Sequence, residues 1–585
     1  MQKTIARRAF DPSVADALSG HPVLRRVYAA RGIGSEADLE RSLAGLLPVA
    51  ALRGVEAAVA LLEQALREQW RVLIVGDFDA DGATSTSVAI LALRMMGLGQ
   101  VQYLVPNRFE FGYGLTPEIV AVAAQSAPEL LVTVDNGISS VAGVAEAKAR
   151  GMRVLVTDHH LPGAELPAAD AIVNPNQPGC PFPSKSLAGV GVVFYLMLAL
   201  RSHLRERGWF AERGIPEPNL AELLDLVALG TVADVVPLDR NNRILVHQGL
   251  ARIRAGRCRP GITAILQVAK RDRGQITATD LGFALGPRLN AAGRLDDMSL
   301  GIECLLAQNP EQALTMAAEL DALNRERKEI ETGMQAEAFA TLDRSLGQLA
   351  ESAETGATLP FGIALFDPSW HQGVVGILAA RVKDRYHRPV ICFTEVDEHE
   401  IKGSARSIPG VHIRDVLDEV AAKNPGLLSK FGGHAMAAGL SLPRANFPAF
   451  QAAFDAAVRA HVDGRALTGE IETDGELKPE EFSFELAELI RQSGPWGQHF
   501  PEPAFDGEFQ VLGQRVLGDK HLKLQVAHPH SGLVLEAIAF NAQPEWLKGV
   551  PARVRLVYKL DINEFRGEQK LQLLTDYLSF VTETS

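Results

Sequence analysis

The chain has 585 residues, of which 47% are hydrophobic and 22% are charged, and its formal net charge is −13. This length predicts several domains, and this composition is typical of a globular protein rather than a disordered one. The acidic balance argues against a general nucleic-acid binder, so contact with a nucleic acid would need a local basic groove or bound metal ions.

Targeting and redox features of the sequence are few. The four cysteines have no CxxC spacing, which argues against a zinc cluster or a disulfide framework and fits a reducing compartment. The N-terminus lacks the apolar core of a signal peptide, and no apolar run reaches the length of a membrane span. We therefore expect a cytoplasmic protein with no membrane contact.

The first part of the chain predicts a parallel sheet. Residues 1–50 predict a small helical lead-in, and strand-like and helix-like stretches then alternate as far as residue 157. The predicted elements are helix 54–68, strand 72–75, helix 84–96, strand 101–105, helix 117–124, strand 130–134, helix 140–149 and strand 153–157. This alternation predicts an α/β fold with helices on the faces of the sheet, and ligands in such folds bind beyond the carboxyl ends of the strands.

Carboxylates directly follow the strand at 72–75. Asp77, Asp79 and Asp81 alternate before a polar run, 84–87, that suits the start of a helix. Three carboxylates at one strand end repel one another, and a hard divalent cation such as Mg²⁺ or Mn²⁺ relieves that repulsion. A solvated acidic loop is the alternative for this stretch taken alone.

Two further predicted strands end in side chains of the same kind. One is followed by Asp135 and the other by Asp158, His159 and His160. Because parallel strands bring their carboxyl ends to one edge, we expect these side chains to meet those of the first acidic stretch. Aspartates with one or two imidazoles make a mixed oxygen and nitrogen site, in which two metal ions could share the carboxylate of Asp135.

The motifs GDFDADG, VDNG and DHH occur in this order and resemble the DHH phosphoesterase superfamily, whose members hydrolyse phosphodiester or phosphoanhydride bonds with two metal ions. The stretch DLVALGTVADVVPLDR at 225–240 resembles the fourth motif of that superfamily, which implies a further metal ligand at Asp234. A helix-terminal aspartate exposed to water is the alternative for that residue.

The resemblance implies a division of roles among these residues. Asp79 and Asp135, with Asp77 as a further candidate, would hold the first metal ion. The second ion would be held by four residues: Asp81, Asp135, His159 and Asp234. His160 would lie beside the scissile phosphate, and Asp158 would orient an imidazole by a hydrogen bond. Many smaller members of the superfamily have a histidine where this chain has Val75, and Asp77 is the candidate to replace it.

Two arginine-bearing stretches are candidates for phosphate binding. Arg108 follows the strand at 101–105 and can reach the same edge, although a surface arginine is the alternative. The stretch GPRLNAAGRLDD at 286–297 reads as neither a helix face nor a strand core. It resembles a motif of the superfamily branch that degrades single-stranded DNA, which implies phosphate contacts by Arg288, Asn290 and Arg294. A loop whose arginines pair with Asp296 and Asp297 is the alternative.

A second α/β lobe is predicted beyond a long helix. Residues 309–345 predict that helix, and 347–358 are typical of a linker. Strands 363–366 and 390–393 would then flank helix 374–385. The motifs WHQGVVGI, GSARS and GGH resemble the DHHA1 domain that accompanies DHH domains. The resemblance implies that Ser404, Arg406 and His434 bind the phosphate chain of a substrate.

The C-terminal part predicts a barrel. From about Gly469, short stretches alternate apolar and polar residues with period two, which predicts a five-stranded OB-type β-barrel that binds single strands. Arg553, Arg555 and Lys570 would line a phosphate groove. Phe505, Phe509 and Tyr558 are candidates for base stacking, with a place in the barrel core as the alternative.

The predicted domains are a helical N-terminal segment at 1–50, a DHH domain at 51–308, a connecting helix at 309–346, a DHHA1 domain at 347–465 and an OB domain at 466–585. Over nearly the whole chain, this domain order resembles that of the superfamily branch that degrades single-stranded DNA. The resemblance implies a 5′-to-3′ exonuclease that uses two Mn²⁺ or Mg²⁺ ions, releases mononucleotides and acts in repair and recombination. Implied partners are single-stranded DNA with a 5′ end, a single-strand-binding protein and a helicase, and we expect a monomer.

Two other functions stay open at this stage. One is a phosphoesterase for pyrophosphate or short oligonucleotides, although a small substrate needs no additional barrel. The other is a non-catalytic scaffold that binds single strands at replication forks, although a scaffold has no reason to keep mutually repelling carboxylates.

Overall fold

The computed structural model describes residues 3–106, 114–352, 360–462, 467, 469–565 and 567–581, with the backbone alone for 343–352 and 565. The candidate Arg108 lies outside the described residues. The chain forms two compact units, of which one comprises Arg7–Asn324 with Thr473–Ser585, and the other Arg325–Glu472 with Met1–Ala6. The first unit contains a parallel sheet and a barrel, and the second contains a mixed sheet.

The parallel sheet confirms the predicted α/β fold. Its strands, in spatial order, are Val101–Leu104, Val72–Gly76, Leu130–Val134, Arg153–Thr157 and Ala171–Val173. The last strand was not predicted, because three residues give too short a pattern. Every residue of Val72–Gly76 and Leu130–Val134 is buried, as expected for central strands covered on both faces. The helices between the strands are Val55–Glu68, Ala80–Met95, Pro117–Ala123 and Val141–Ala149.

The helix after the strand Val72–Gly76 begins at Ala80, four residues before its predicted start. Asp79 caps this helix, since its Oδ1 accepts a hydrogen bond of 3.0 Å from the backbone N–H of Gly82. Asp81 therefore lies on the first helical turn and not in a loop. In this position its carboxylate is buried in the interior.

A helical layer follows the parallel sheet. Its helices are Gly189–Glu206, Trp209–Arg213, Leu224–Ala233, Arg240–Arg254, Pro260–Val268, Ala278–Asp280, Gly286–Leu295 and Ser299–Leu306, with a π-helical turn at Leu281–Leu285. The prediction that 286–297 is not a helix was wrong, because Leu289 and the small residues after it face the interior. The small residues allow close packing: a Cβ added at Gly293 would lie 1.8 Å from the carbonyl oxygen of Phe78.

The N-terminal segment contains the strand Thr4–Arg7, the helices Pro12–Ala17 and Pro22–Ala29, and 3-10 turns at Glu36–Leu39, Leu43–Gly45 and Val49–Ala51. The strand pairs with Glu470–Thr473. The regular structure of the predicted lead-in is thus mostly helical, with one strand that the sequence did not indicate.

The second unit confirms the second α/β lobe. The long helix extends over Pro310–Ser352, beyond its predicted end at 345. The mixed sheet has the order Lys430–Gly433, Ala437–Pro443, Glu400–Arg406, Val390–Glu395 and Ile363–Phe366. Its helices are Val375–Tyr386, Ile413–Lys423 and Phe447–His461. Aromatic side chains, including Phe393, Phe450 and Phe454, fill the core on one side of this sheet.

The C-terminal strands close into the predicted barrel, in the order Phe505–Leu517, His521–Ala527, Val534–Ala539, Glu568–Phe580 and Arg553–Phe565. Two helices accompany it, Phe484–Ser493 and Pro544–Leu547.

The barrel's candidate binding residues already have places within the protein. Phe505, Phe509 and Tyr558 are buried in the barrel core, which is the alternative given for them rather than base stacking. Arg553 and Arg555 are paired with Glu508 and Asp506.

Among the described residues, no single helix combines the length and the apolarity that a membrane crossing requires. Leu43–Ala51 and Val55–Glu68 meet that requirement only when taken together, and they are bent by 90° at the break between them.

Candidate metal centre

Acidic side chains from distant parts of the chain meet at the carboxyl edge of the parallel sheet. Strands Val72–Gly76, Leu130–Val134 and Arg153–Thr157 end there, and each is followed directly by aspartate or histidine residues. Asp234 joins them from the C-cap of the helix Leu224–Ala233. The edge thus collects side chains separated by more than 150 positions in the sequence.

The imidazole of His159 lies at the centre of this cluster. Its Nε2 is 3.1 Å from Asp135 Oδ1, 3.5 Å from Asp234 Oδ2 and 4.0 Å from Asp81 Oδ2. Three overlapping groups have ligand atoms within 4.8 Å of one another: Asp77, Asp79 and Asp135; Asp81, His159 and Asp234; and Asp135, His159 and His160. Asp135 belongs to two of these groups, as a carboxylate shared between two cations would.

The residues fit divalent cations. Asp135 Oδ1, Asp234 Oδ2 and His159 Nε2 are buried, and none has a hydrogen-bond partner among the described residues. Buried polar atoms without partners destabilise a fold, and cations in the cluster would satisfy all three. The donors are mainly carboxylate oxygens, which suit Mn²⁺ or Mg²⁺ better than structural zinc.

The pKa values of the cluster show how unfavourable it is without cations. Burial, and then the charge of Asp79, raise the pKa of Asp81 to about 7. Burial and the neighbouring carboxylates raise the pKa of Asp135 and of Asp234 well above its usual range. Burial and the charge of His160 lower the pKa of His159 to about 4, so His159 is a neutral imidazole that can ligate a metal at neutral pH.

Asp158 and His160 form a buried pair beside the cluster. His160 Nδ1 lies 2.8 Å from Asp158 Oδ1, and the backbone N–H of Ile138 donates to the other carboxylate oxygen. Burial would raise the pKa of Asp158, but the hydrogen bond and charge of His160 outweigh it and lower that pKa. Burial would likewise lower the pKa of His160, but Asp158 raises it to about 9. Asp158 therefore favours the protonated form of His160 next to the cluster.

Some residues that hold the cluster in place were not found from the sequence. The carboxylate of Asp81 accepts hydrogen bonds from the backbone N–H of Gly189 (2.7 Å) and of Val190 (2.9 Å), at the start of the helix Gly189–Glu206. The sequence indicated only that this helix is buried; a glycine pair at its start was the available signal. Asn136 was also missed: its Nδ2 donates to Val75 O and Val134 O and so ties two strand ends together.

The candidate phosphate-binding residues of this unit have partners within the protein. Asn290 Oδ1 accepts a 2.7 Å hydrogen bond from the backbone N–H of Ala80, so Asn290 supports the acidic turn. Arg288 pairs with Asp321 at 2.8 Å, rather than with Asp296 or Asp297. Arg294 lies half-buried on the last turn of the helix Gly286–Leu295. Phosphate contacts by these three residues stay a prediction.

The candidates of the second unit lie together at one end of the mixed sheet. Arg406 Nη1 donates to Ser404 Oγ at 3.0 Å, and Arg406 pairs across the sheet with Ala437, whose carbonyl accepts from the backbone N–H of His434. Among the described residues, no carboxylate lies within 4.0 Å of the Arg406 guanidinium, and burial lowers the pKa of Arg406. A side chain at Gly376 would fill this place, since its Cβ would lie 2.9 Å from both Ser404 Oγ and Arg406 Nη2.

Three family patterns match the chain. The DHH family, N-terminal domain, matches residues 71–231; the DHHA1 domain matches 359–460; and the RecJ OB domain matches 473–577. The single-stranded-DNA-specific exonuclease RecJ of Dickeya dadantii is 59% identical over 557 residues, which cover 95% of this chain and 96% of that protein.

Solved structures agree with these matches. The crystal structure of Thermus thermophilus RecJ in complex with Mn²⁺ has a TM-score of 0.79 at 30% identity and covers 99% of this chain and 80% of that one. Its complex with Mg²⁺ has a TM-score of 0.73 at 28% identity and covers 99% of this chain and 79% of that one.

A parallel sheet with DHH-type ligands at its carboxyl edge, followed by a DHHA1 lobe, defines a phosphoesterase of the DHH type. The RecJ OB domain and the 59% sequence identity to the Dickeya dadantii protein, over 95% of this chain, identify the branch of this class. The chain belongs to the RecJ family.

Proposed function

We propose that the chain degrades single-stranded DNA stepwise from its 5′ end and releases 5′-mononucleotides, with two divalent cations, Mn²⁺ or Mg²⁺, in DNA repair and recombination. The observation that carries this proposal is the buried cluster at the carboxyl edge, where Asp135, His159 and Asp234 each present an unsatisfied ligand atom. The relative that is 59% identical carries the name of a single-stranded-DNA-specific exonuclease, which supports the substrate.

The geometry supports the following roles. Asp79 and Asp135, with Asp77, hold one cation. The other cation is held by Asp81, Asp135, His159 and Asp234. When bound, the cations offset the negative charge of the phosphate and make a water molecule a stronger nucleophile. His160, whose ring Asp158 orients by a hydrogen bond, contacts the phosphate oxygens.

The remaining candidates would hold the nucleic acid. Ser404, Arg406 and His434 bind a phosphate of the strand, and the buried guanidinium of Arg406 without a carboxylate partner supports this role. Arg288 and Arg294, and Arg108 outside the described residues, are further candidates for phosphate contacts. The OB barrel binds the strand farther along, within the domain boundaries predicted from the sequence.

Partners beyond the strand are part of the proposal. A single-strand-binding protein and a helicase would supply the substrate, because the enzyme needs an unpaired 5′ end. We propose a monomer that acts in the compartment holding the DNA, the cytoplasm.

The test is digestion of a long, 5′-phosphorylated single strand with Mn²⁺, by the wild-type chain and by Asp81→Asn. The variant keeps the size of the buried side chain but removes a negative ligand, so we expect turnover to fall at least 1,000-fold, about 4 kcal/mol of transition-state stabilisation. The matched control is Asp297→Asn, an exposed residue just beyond the helix Gly286–Leu295, which should leave the rate unchanged.

Other outcomes would contradict the proposal in distinct ways. Hydrolysis of dinucleotides without shortening of the long strand would favour the small-substrate phosphoesterase. Equal background turnover in the wild type and in Asp81→Asn, with the long strand still bound, would favour the non-catalytic scaffold.

A further inference from the structure

Three exposed apolar side chains lie on segments that adjoin the metal cluster in the chain or pack beside a helix that leads to it. They are Phe283, Val235 and Leu161, with exposed fractions of 81%, 62% and 59%, and we call them the apolar rim. Among the described residues of 7–324, no other large apolar side chain has an exposed fraction above 41%. Exposed apolar side chains are common when scattered singly, whereas several of them on segments that belong to one site indicate a binding surface.

Each rim residue is tied to the cluster through the chain or through packing. Leu161 directly follows His160, and Val235 directly follows Asp234. The Cα atoms of Leu161 and Val235 therefore lie about 3.8 Å from the Cα atoms of His160 and Asp234. A Cβ added at Gly282, the residue before Phe283, would lie 3.3 Å from Val232 Cγ1, so the turn bearing Phe283 packs against the end of the helix that leads to Asp234.

The backbone of the rim is unusual at two points. Val235 has φ of 62°, in the left-handed region that a β-branched residue rarely occupies. Glycine is the common residue at such a helix end, and an exposed valine there gains nothing from burial. Phe283 lies on the π-helical turn Leu281–Leu285, a rare conformation that occurs mostly at functional sites. The positive φ of Val235 and the π-helical turn of Phe283 are both unfavourable backbone conformations, and each carries an apolar side chain that is exposed to solvent.

We infer that the apolar rim contacts the bases of the nucleotides next to the scissile phosphate, with Phe283 as the stacking residue. This inference rests on the proposed function. Bases are the apolar part of a DNA strand, and a phosphate held at the cluster brings its neighbouring bases to the surrounding surface. A ring contacts the face of any base, so the contact gives no sequence preference. In a duplex the base faces are already stacked, and the rim therefore favours an unpaired strand.

The test compares two 5′-phosphorylated single strands of equal length, one normal and one with abasic residues replacing its first few nucleotides. For the wild-type chain with Mn²⁺, we expect kcat/KM to be about tenfold lower on the abasic strand, within the usual range for one base stacked on an aromatic ring. Phe283→Ala should be about tenfold slower on the normal strand and should no longer distinguish the two strands.

Three further variants sharpen the test. Phe283→Trp should restore both the rate and the discrimination, because it keeps an aromatic face. Phe10→Ala removes another exposed phenylalanine, in the N-terminal segment, and should change neither. Val235→Gly should slow cleavage of the normal strand, because it removes an apolar side chain of the rim. It should not lower Tm, because glycine adopts a positive φ without strain.

The outcomes separate the inference from the function on which it rests. If Phe283→Ala keeps the discrimination of the wild type, or if the wild type cleaves both strands equally, the base contact is refuted while the exonuclease stands. If the wild type shows no Mn²⁺-dependent cleavage of either strand, the proposed function itself is refuted.

Discussion

At the scale of single residues, Asp81 shows how a buried carboxylate is kept in place. Two backbone N–H groups from the helix Gly189–Glu206 donate to its oxygens, at 2.7 and 2.9 Å. These donors favour the charged form, which burial and Asp79 disfavour. Glycines permit the approach: a Cβ at Gly230 would lie 3.0 Å from Asp81 Oδ1, and one at Gly189 would lie 2.7 Å from Asp135 Oδ1.

Gly189→Ala should therefore displace Asp135 and weaken metal binding. We expect the affinity for Mn²⁺ to fall by about 10- to 100-fold, as when a residue that orients a ligand is lost. Titration calorimetry and the Mn²⁺-induced rise in Tm measure this effect. Gly333→Ala is the matched control, because a Cβ there meets nothing within 4 Å. Unchanged Mn²⁺ affinity in Gly189→Ala would show that Asp135 can shift without leaving its cation.

At the scale of elements, the helix Gly286–Leu295 supports the acidic turn. Its small residues let it approach the turn closely, and Asn290 Oδ1 accepts from the backbone N–H of Ala80, which is itself buried. This helix was not predicted because its buried face is made largely of alanine and glycine, which give no clear helical period. The predicted strands of the parallel sheet were found because buried strands are continuous runs of branched residues.

Asn290→Ala should leave the buried N–H of Ala80 without an acceptor. We expect a loss of about 1–3 kcal/mol in the free energy of unfolding and a fall in kcat, because the turn also carries Asp79 and Asp81. Urea denaturation and steady-state kinetics measure the two effects. Asn290→Asp keeps an acceptor oxygen and should recover much of the stability; if it is as unstable as Asn290→Ala, the hydrogen bond is not what Asn290 contributes.

At the scale of the whole molecule, buried ion pairs join the N-terminal segment to the residues around the barrel within the first unit. Arg31 pairs with Asp474 at 2.7 Å, and both side chains are almost fully buried. Arg7 and Arg555 both pair with Asp506, which also accepts from Thr473 Oγ1. Asp506 is fully buried, whereas its partners Arg7 and Arg555 are 48% and 34% exposed, so its removal mainly costs the charge-assisted hydrogen bonds that it accepts.

Asp506→Asn should destabilise the protein in a pH-dependent way. Burial would raise the pKa of Asp506, but hydrogen bonds from Arg7, Thr473 and Arg555 outweigh it and hold that pKa below the ordinary 3.8. A lowered pKa contributes stability that is fully present above the unfolded value and is lost as the pH falls through the folded one. We expect a loss of about 2 kcal/mol at neutral pH, with a gap to the wild type that narrows below about pH 4.

Denaturant unfolding of both proteins across this pH range tests that expectation. Glu508→Gln is the matched control, since its exposed pair with Arg553 contributes only about 0–1 kcal/mol. A gap that stays constant from neutral pH to below about pH 4 would show that the charge of Asp506 is not the source of its contribution.

The sequence by itself determined the types of metal ligand and the edge at which they meet. Parallel strands all present their carboxyl ends on one side, so Asp77, Asp135 and Asp158 could be assigned to one edge from their positions after strands. Only the tertiary structure decided which groups meet there: the N–H groups of Gly189 and Val190 on Asp81, and the turn that bears Phe283 against the helix that leads to Asp234. Those contacts depend on how helices distant in sequence pack against the sheet, and a local pattern of residues carries no record of that packing.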